Sequence, residues 1–192
     1  MEGASRKRFE GDHRTLTDDW KKVASRDYSS FLDPHQFEWF ATFTFKDEKH
    51  PETANKSFRH WVNLTNKDIY GKNWNRRFPH GVKWVRALEW QKREVIHYHA
   101  LISGVKDTNY QLAHYAARRW LTEMECGFAR IECIPKEDSQ LAVKRYLAKY
   151  VTKDGELDFS ENFANETRLD LVNGPVLVGK PSGLAVVRTA TN

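Results

Sequence analysis

The chain has 192 residues, which suits one sizeable core, and 40% of them are hydrophobic, so the composition excludes a disordered protein. The formal net charge of +5 at pH 7 fits an anionic partner. Two cysteines, Cys126 and Cys133, are too few for a disulfide framework. The sequence shows neither a signal peptide nor a run long enough to span a membrane, so we expect a cytoplasmic protein with no membrane partner.

The first predicted strand and helix follow a polar N-terminal extension, residues 1–35. Residues 37–45, FEWFATFTF, are aromatic and rich in threonine, which favours a strand. Pro51 suits a first helical turn, and apolar residues at helical spacing predict a helix over 52–67.

A basic segment, residues 68–81, follows this helix and is predicted to be a loop. Cations and aromatic rings alternate within it, and its candidate nucleic-acid contacts are Lys72, Trp74, Arg76 and Arg77. Such a mixture suits stacking on bases together with contacts to phosphates. A purely solvated connection between two elements is the alternative.

Two strands come next, over residues 82–90 and 95–103, and form an antiparallel hairpin because their connection is too short for a parallel crossover. Val82, Trp84, Leu88 and Trp90 share one face of the first of these strands and are expected to pack together.

The last predicted elements of the domain are a helix over 108–125, a strand over 128–134 and a helix over 138–153. Gly127 ends the first of these helices and Ser139 can cap the second. The order of the first six elements predicts an α+β fold, an antiparallel sheet of split βαβ (ferredoxin-like) topology with helices on one face, followed by an extra helix. The domain covers 36–155, and 156–192 form a C-terminal extension that looks irregular apart from one apolar run.

A His-x-His pattern lies on the second strand of the hairpin. His97 and His99 point to the same face, about 6.5–7 Å apart, because side chains alternate along a strand. Two imidazoles at this separation can coordinate one metal ion. In a chain with eight histidines the pattern also arises by chance, and on an exposed strand it is more often inert.

Glu89 on the partner strand supplies a third ligand if it lies directly opposite His97, which leaves a turn centred on Arg93. A register shifted by one residue would send the carboxylate to the other face, where it would be a solvated side chain. Two imidazoles and one carboxylate with open positions suit Mg²⁺ or Mn²⁺.

The last predicted helix carries two tyrosines and two lysines on one stripe, because their spacing is i, i+3, i+4 and i+7: Tyr146, Lys149, Tyr150 and Lys153. Val143, Leu147 and Val151 form an adjoining apolar stripe that can dock on the sheet. An ordinary amphipathic helix with its lysines in water is the alternative.

These residues together resemble the HUH endonucleases, and among them the rolling-circle replication initiators. His97-Tyr98-His99 matches the His-hydrophobe-His strand that names the family, and Phe43-Thr44-Phe45 matches its upstream strand. The Tyr-x-x-Lys helix is matched twice, at Tyr146 and at Tyr150. The resemblance covers about residues 38–154, and the tandem unit is similar to that of bacteriophage and plasmid initiators.

The resemblance implies metal-dependent nicking and rejoining of single-stranded DNA through a 5′-phosphotyrosine, which initiates rolling-circle replication. It implies His97, His99 and Glu89 as ligands on a central strand and its neighbour, and Tyr150 as the preferred nucleophile with Tyr146 second. The lysines would position phosphate and lower the phenol pKa. Single-stranded origin DNA, including hairpin forms, and the host or viral replication machinery would be the partners.

Other functions remain open. A transposase of the same superfamily shares the motifs, and a non-catalytic nucleic-acid-binding protein would use only the basic segment. A relaxase places its tyrosine before the histidines, contrary to the order seen here. The chain has no GxxxxGK[ST] motif and so cannot itself unwind duplex DNA by ATP hydrolysis.

Overall fold

A computed structural model describes residues 31–77, 81–91, 95–105, 110–135, 139–151, 157–163, 176–179 and 185–188. Its strands are β1 (Trp39–Phe45), β2 (Lys83–Trp90), β3 (Ile96–Ser103), β4 (Gly127–Cys133), β5 (Leu157–Phe159), β6 (Val176–Gly179) and β7 (Ala185–Arg188). Its helices are α1 (Pro51–Tyr70), α2 (Trp74–Arg77), α3 (Tyr110–Thr122) and α4 (Ser139–Val151). None of the helices in these ranges has the length and apolar character needed to cross a bilayer.

Five strands form one antiparallel sheet in the order β4-β1-β3-β2-β5, so β3 is the middle strand. β6 and β7 pair with each other in a separate ribbon. The α+β class and the antiparallel sheet expected from the sequence are confirmed. β4 and β5 are the two edges of the five-stranded sheet.

One face of the sheet packs against α1 and α3 through a core rich in aromatic residues. Phe43 of β1 meets Trp61 of α1 edge-on, with ring centroids 4.6 Å apart, and meets Trp120 of α3 at 5.0 Å. All three side chains are fully buried. Large rings at helical spacing therefore fix both helices against alternate residues of the strands.

The opposite face packs against α4, which is the extra helix predicted beyond the six elements of the split βαβ pattern. Leu147 of α4 is fully buried in a second core that includes Val85 of β2 and Leu101 of β3. Val85 and Leu101 are paired residues of the β2–β3 ladder. The apolar stripe of α4 docks on the sheet because β2 and β3 present Val85, Ala87 and Leu101 on this face.

Two buried polar side chains tie α4 to the segment before β1. The Gln140 side chain donates to the carbonyl of Phe37 at 2.7 Å and accepts from the amide of the same residue at 3.1 Å. Lys144 donates to the carbonyl of Asp33 at 2.9 Å, and burial lowers the pKa of its ammonium. All three bonds go to backbone groups, so they fix the helix along its axis as well as against the sheet.

The segments between the predicted elements differ from expectation in three places. α1 runs on to Tyr70, and α2 turns part of the expected basic loop into a short helix. β5, which lies in the C-terminal stretch expected to be irregular, pairs with β2 at the sheet edge.

Trp90 is 51% exposed at the end of β2, because the core that covers Trp84 and Leu88 does not reach it. Lys153 lies outside the described residues.

Gly127 allows β4 to approach β1 closely. Its φ of 148° belongs to a region that side-chain-bearing residues rarely adopt. A Cβ atom at this position would lie 2.2 Å from the carbonyl oxygen of Thr44 and 2.7 Å from the amide nitrogen of Lys46. Backbone atoms cannot move aside as a flexible side chain can.

We expect Gly127→Ala to lower the free energy of unfolding by more than the roughly 1–3 kcal/mol that a strained backbone conformation costs. Gly71→Ala is the matched control, because Gly71 also has a positive φ, 89°, but an added Cβ there meets nothing within 4 Å. Urea unfolding of both variants measures the difference. Equal losses of stability would show that the close approach to β1 does not matter.

Candidate metal centre and tyrosine helix

The sheet brings Glu89, His97 and His99 together on one face. Glu89 pairs directly with His97 in the β2–β3 ladder, and Trp90 pairs with Ile96, as the predicted hairpin register requires. Their potential ligand atoms, one from each residue, all lie within 4.8 Å of one another. The expected convergence of the three side chains on one face is therefore confirmed.

Polar neighbours hold both imidazole rings. The Thr42 hydroxyl lies 3.3 Å from Nδ1 of His99, and the Gln91 amide lies 3.2 Å from Nδ1 of His97. Nε2 of His99 lies 3.1 Å from a carboxylate oxygen of Glu89. Rings held through their second nitrogen are pre-oriented for a cation, as at many metal sites. Two imidazoles and one carboxylate at this spacing could hold a divalent ion, and nothing in the donor set identifies which one.

The two tyrosines of α4 lie directly against this cluster. The Tyr150 ring stacks on His99 with centroids 4.3 Å apart and an interplanar angle of 15°. The Tyr150 hydroxyl donates to the Tyr146 hydroxyl at 2.6 Å. Tyr146 in turn packs edge-on against Phe40 of β1 at 5.5 Å. One helical turn thus places both phenols beside the three candidate ligands.

Burial differs sharply between the two phenols. Tyr150 is 5% exposed and Tyr146 is 42% exposed. Burial raises the pKa of Tyr150, and the Tyr146 hydroxyl and the Glu89 carboxylate raise it further. The expectation that neighbouring lysines lower this pKa is therefore wrong for the protein alone, because an anionic group and an apolar setting surround the ring. Lys149 is exposed on α4.

The chain matches the family described as replication-associated protein ORF2 over residues 38–155, more than half of its length. It belongs to this family. The family consists of rolling-circle replication initiators of the HUH type, so the resemblance noted from the sequence is confirmed. No curated protein and no solved structure matches the chain.

The family match covers the sheet strands β1 to β4, the three candidate ligands and both tyrosines. Membership indicates a replication-associated protein that acts on DNA. The matched region also includes the basic segment, although that segment lies away from the cluster.

The basic segment sits at the far end of the sheet. Tyr70, at the end of α1, donates to the carbonyl of Gly104 just beyond β3, whereas His97 lies near the start of that strand. Six residues of strand separate the two ends by roughly 20 Å. The Trp74 indole donates to Asn63 of α1 at 3.1 Å, so its ring is partly committed to the fold. Lys72 and Arg76 are exposed, and Arg77 is described only in its backbone.

Sequence reasoning missed the residues that support the cluster. Thr42 precedes Phe43 on β1, so its side chain points to the opposite face from that core residue. The sequence pattern alone does not give its partner, and only the β1–β3 pairing puts it opposite His99. Gln91 lies just beyond the predicted strand, in the connection of the hairpin. Gln140 contacts Phe37 across 103 positions of sequence, a relationship that no local pattern reveals.

We expect His99→Ala to weaken Mn²⁺ binding at least about 100-fold, because removal of a supporting residue alone typically costs 10–100-fold. Thr42→Val should weaken Mn²⁺ binding by about 10–100-fold, the range for a supporting residue. It keeps the shape of the side chain and removes the hydroxyl beside Nδ1 of His99. Isothermal titration calorimetry with Mn²⁺ measures both effects.

His60→Ala is the matched control, because this histidine is exposed on α1 and lies outside the cluster. Its affinity for Mn²⁺ should equal that of the unmodified protein. An equal effect of His60→Ala and His99→Ala would place metal binding elsewhere.

Proposed function

We propose that this protein nicks and rejoins single-stranded DNA by metal-dependent transesterification through a 5′-phosphotyrosine, and that it thereby initiates rolling-circle replication. The observation that carries the proposal is the stacking of Tyr150 on His99 within the Glu89, His97 and His99 cluster. Membership in a family of replication initiators supports it. The strand order β4-β1-β3-β2 also supports the split βαβ topology, with the His-x-His strand in the middle.

The proposed reaction exchanges one phosphodiester for another. The Tyr150 oxygen attacks phosphorus, a bond forms between them, and the bond from phosphorus to the 3′ oxygen breaks. The phenol gives up its proton and the departing 3′ oxygen takes one up, so the products are a free 3′-hydroxyl and a 5′-phosphotyrosine. The energy of the phosphodiester is retained, and the reverse step rejoins DNA without ATP.

The chain's own groups orient this reaction. Stacking on His99 fixes the Tyr150 ring, and the hydroxyl of Tyr146 holds its oxygen through the 2.6 Å hydrogen bond. A divalent ion bound by Glu89, His97 and His99 would stabilise negative charge on the scissile phosphate. We propose that Lys149 and Lys153 contact phosphate as mobile point charges.

The two tyrosines divide the work in this proposal. Tyr150 is the primary nucleophile because it stacks on a candidate ligand. Tyr146 is more exposed and lies one helical turn away, so it suits attack at a second junction while Tyr150 holds the first 5′ end. Such a division of labour would suit rejoining at the end of a replication cycle.

Two other functions give different products. A transposase of the HUH type would form the same adduct and then join it to a target strand. A non-catalytic binder would form no adduct. The buried pair of Tyr150 and His99 favours the enzyme, because binding alone gives no reason to bury a phenol against a candidate metal ligand.

Covalent capture of doubly labelled DNA tests the reaction. Single-stranded oligonucleotides of randomised sequence carry one dye at the 5′ end and another at the 3′ end, and are incubated with protein and Mn²⁺. Because tyrosine keeps the 5′ phosphate, the 3′ dye should shift with the protein on a denaturing gel. The 5′ dye should leave on a shorter free fragment. Sequencing the captured strands would also reveal the site preference.

We expect Tyr150→Phe to remove most of this adduct, because it deletes the attacking oxygen and keeps the stacked ring. Tyr146→Phe should leave the first nick largely intact and impair a second transfer. Gel quantification of the 3′ dye in each variant measures the split.

Loss of the adduct in Tyr146→Phe alone would reverse the assignment of the two tyrosines and leave the nuclease proposal standing. Persistence of the adduct when both tyrosines are changed to Phe would contradict the tyrosine mechanism.

We further propose that the basic segment binds DNA away from the cleavage centre. Replacing Lys72, Arg76 and Arg77 by Ala should weaken binding to single-stranded DNA and flatten its salt dependence, by roughly 0.7 in the logarithmic slope for each phosphate that the protein no longer neutralises. Fluorescence anisotropy across a salt series measures the slope. Lys56→Ala on α1 is the control, and an unchanged slope in the triple variant would reduce the segment to a connection.

A further inference from the structure

Among the described elements, only half of the sheet face that carries Glu89, His97 and His99 is covered. α4 packs extensively on β2 and β3, and it reaches β1 through the contact of Tyr146 with Phe40. On the β4 side of this face, Phe128 is 62% exposed and the Arg130 side chain is 71% exposed. Among the described elements, the β1–β4 half is therefore the open side of the candidate active centre.

The strand registers connect this open half to the cluster in two rows. Phe128 pairs with Thr44, which pairs with His97. Arg130 pairs with Thr42, which pairs with His99. Directly paired residues point to the same face of an antiparallel sheet, so Phe128 and Arg130 share the face of the histidines. Two strand spacings place them about 10 Å from the histidines.

We propose that Phe128 stacks on a nucleobase of the single-stranded substrate and that Arg130 binds a neighbouring phosphate. This inference rests on the proposed function, and it assigns where the DNA leaves the cleavage centre. α4 blocks the β2–β3 side of this face. A DNA strand whose phosphate reaches Glu89, His97 and His99 therefore continues over β1 toward β4. A distance of about 10 Å across two strands suits a nucleotide close to the scissile one.

The chemistry of the two side chains selects single-stranded DNA. An exposed phenylalanine on a β-strand offers a flat aromatic face on which an unpaired base can stack. Arg130 pairs with Glu132 at 2.6 Å, but this pair is largely exposed and contributes little, so a phosphate can replace the carboxylate.

Binding of a 20-nucleotide oligo(dT) in the absence of metal tests the stacking site without cleavage. We expect Phe128→Ala to weaken binding by about 5- to 150-fold, the range for removal of one base–aromatic stack. Phe128→Tyr should bind like the unmodified protein, because it keeps the aromatic face. Phe128→Leu should bind as weakly as the Ala variant, because it keeps apolar area without that face.

Tyr115→Ala is the matched control, since Tyr115 is 47% exposed on α3 on the other side of the sheet. Binding by Phe128→Ala equal to that of Tyr115→Ala would overturn the proposal, as would a failure of the unmodified protein to bind oligo(dT). A change of sedimentation coefficient in Phe128→Ala without DNA would also overturn it, in favour of a second copy of the chain on this face.

A companion measurement separates this inference from the proposed function. Arg130→Gln should lower the logarithmic salt slope of oligo(dT) binding by roughly 0.7, as expected for one phosphate contact on single-stranded DNA. The unmodified protein could form the adduct in the covalent capture assay while Phe128→Ala and Arg130→Gln bind oligo(dT) as well as it does. That result would overturn the stacking site alone. Normal stacking behaviour without any adduct would overturn the proposed function and leave a DNA-binding face.

Discussion

The register of the β2–β3 hairpin is the constraint on which the candidate centre depends. Because side chains alternate along a strand, pairing Glu89 with His97 puts the carboxylate and both histidines on one face. A slip of one residue would carry Glu89 into the aromatic core and bring Leu88 or Trp90 to the histidines. The core on the other face resists that slip, because Trp84 and Tyr98 are buried there. Packing on one face therefore sets the chemistry on the other.

α4 places two phenols beside this cluster. Its apolar stripe buries Leu147 on the face that carries the candidate ligands, and Gln140 holds the helix to the backbone of Phe37. These contacts determine that Tyr150 stacks on His99 rather than facing solvent. Within the described part of the chain, the β1–β4 half of the same face stays open. The position of one helix thus accounts for the buried phenol and for the path we propose for DNA.

Much of this arrangement follows from local sequence patterns. Alternation predicted that Glu89 shares the face of the histidines if it lies opposite His97, and the structure has this register. Helical spacing predicted that both tyrosines share one stripe. The side of the sheet that α4 covers could not be predicted, because Val85, Ala87 and Leu101 give the histidine face an apolar area as well. The support from Thr42 and Gln140 depends on pairs far apart in the chain. The raised pKa of Tyr150 depends on burial, which the neighbouring lysines did not indicate.

The most direct test of the account is to locate the DNA on the protein. Covalent complexes formed with randomised single-stranded DNA and Mn²⁺ are digested with nuclease and protease, and mass spectrometry identifies the peptide that retains a nucleotide. The account predicts a 5′-phosphonucleotide on Tyr150, formed only when Glu89, His97 and His99 are intact. A nucleotide on a residue outside α4, or an adduct that forms equally well without the three ligands, would contradict it.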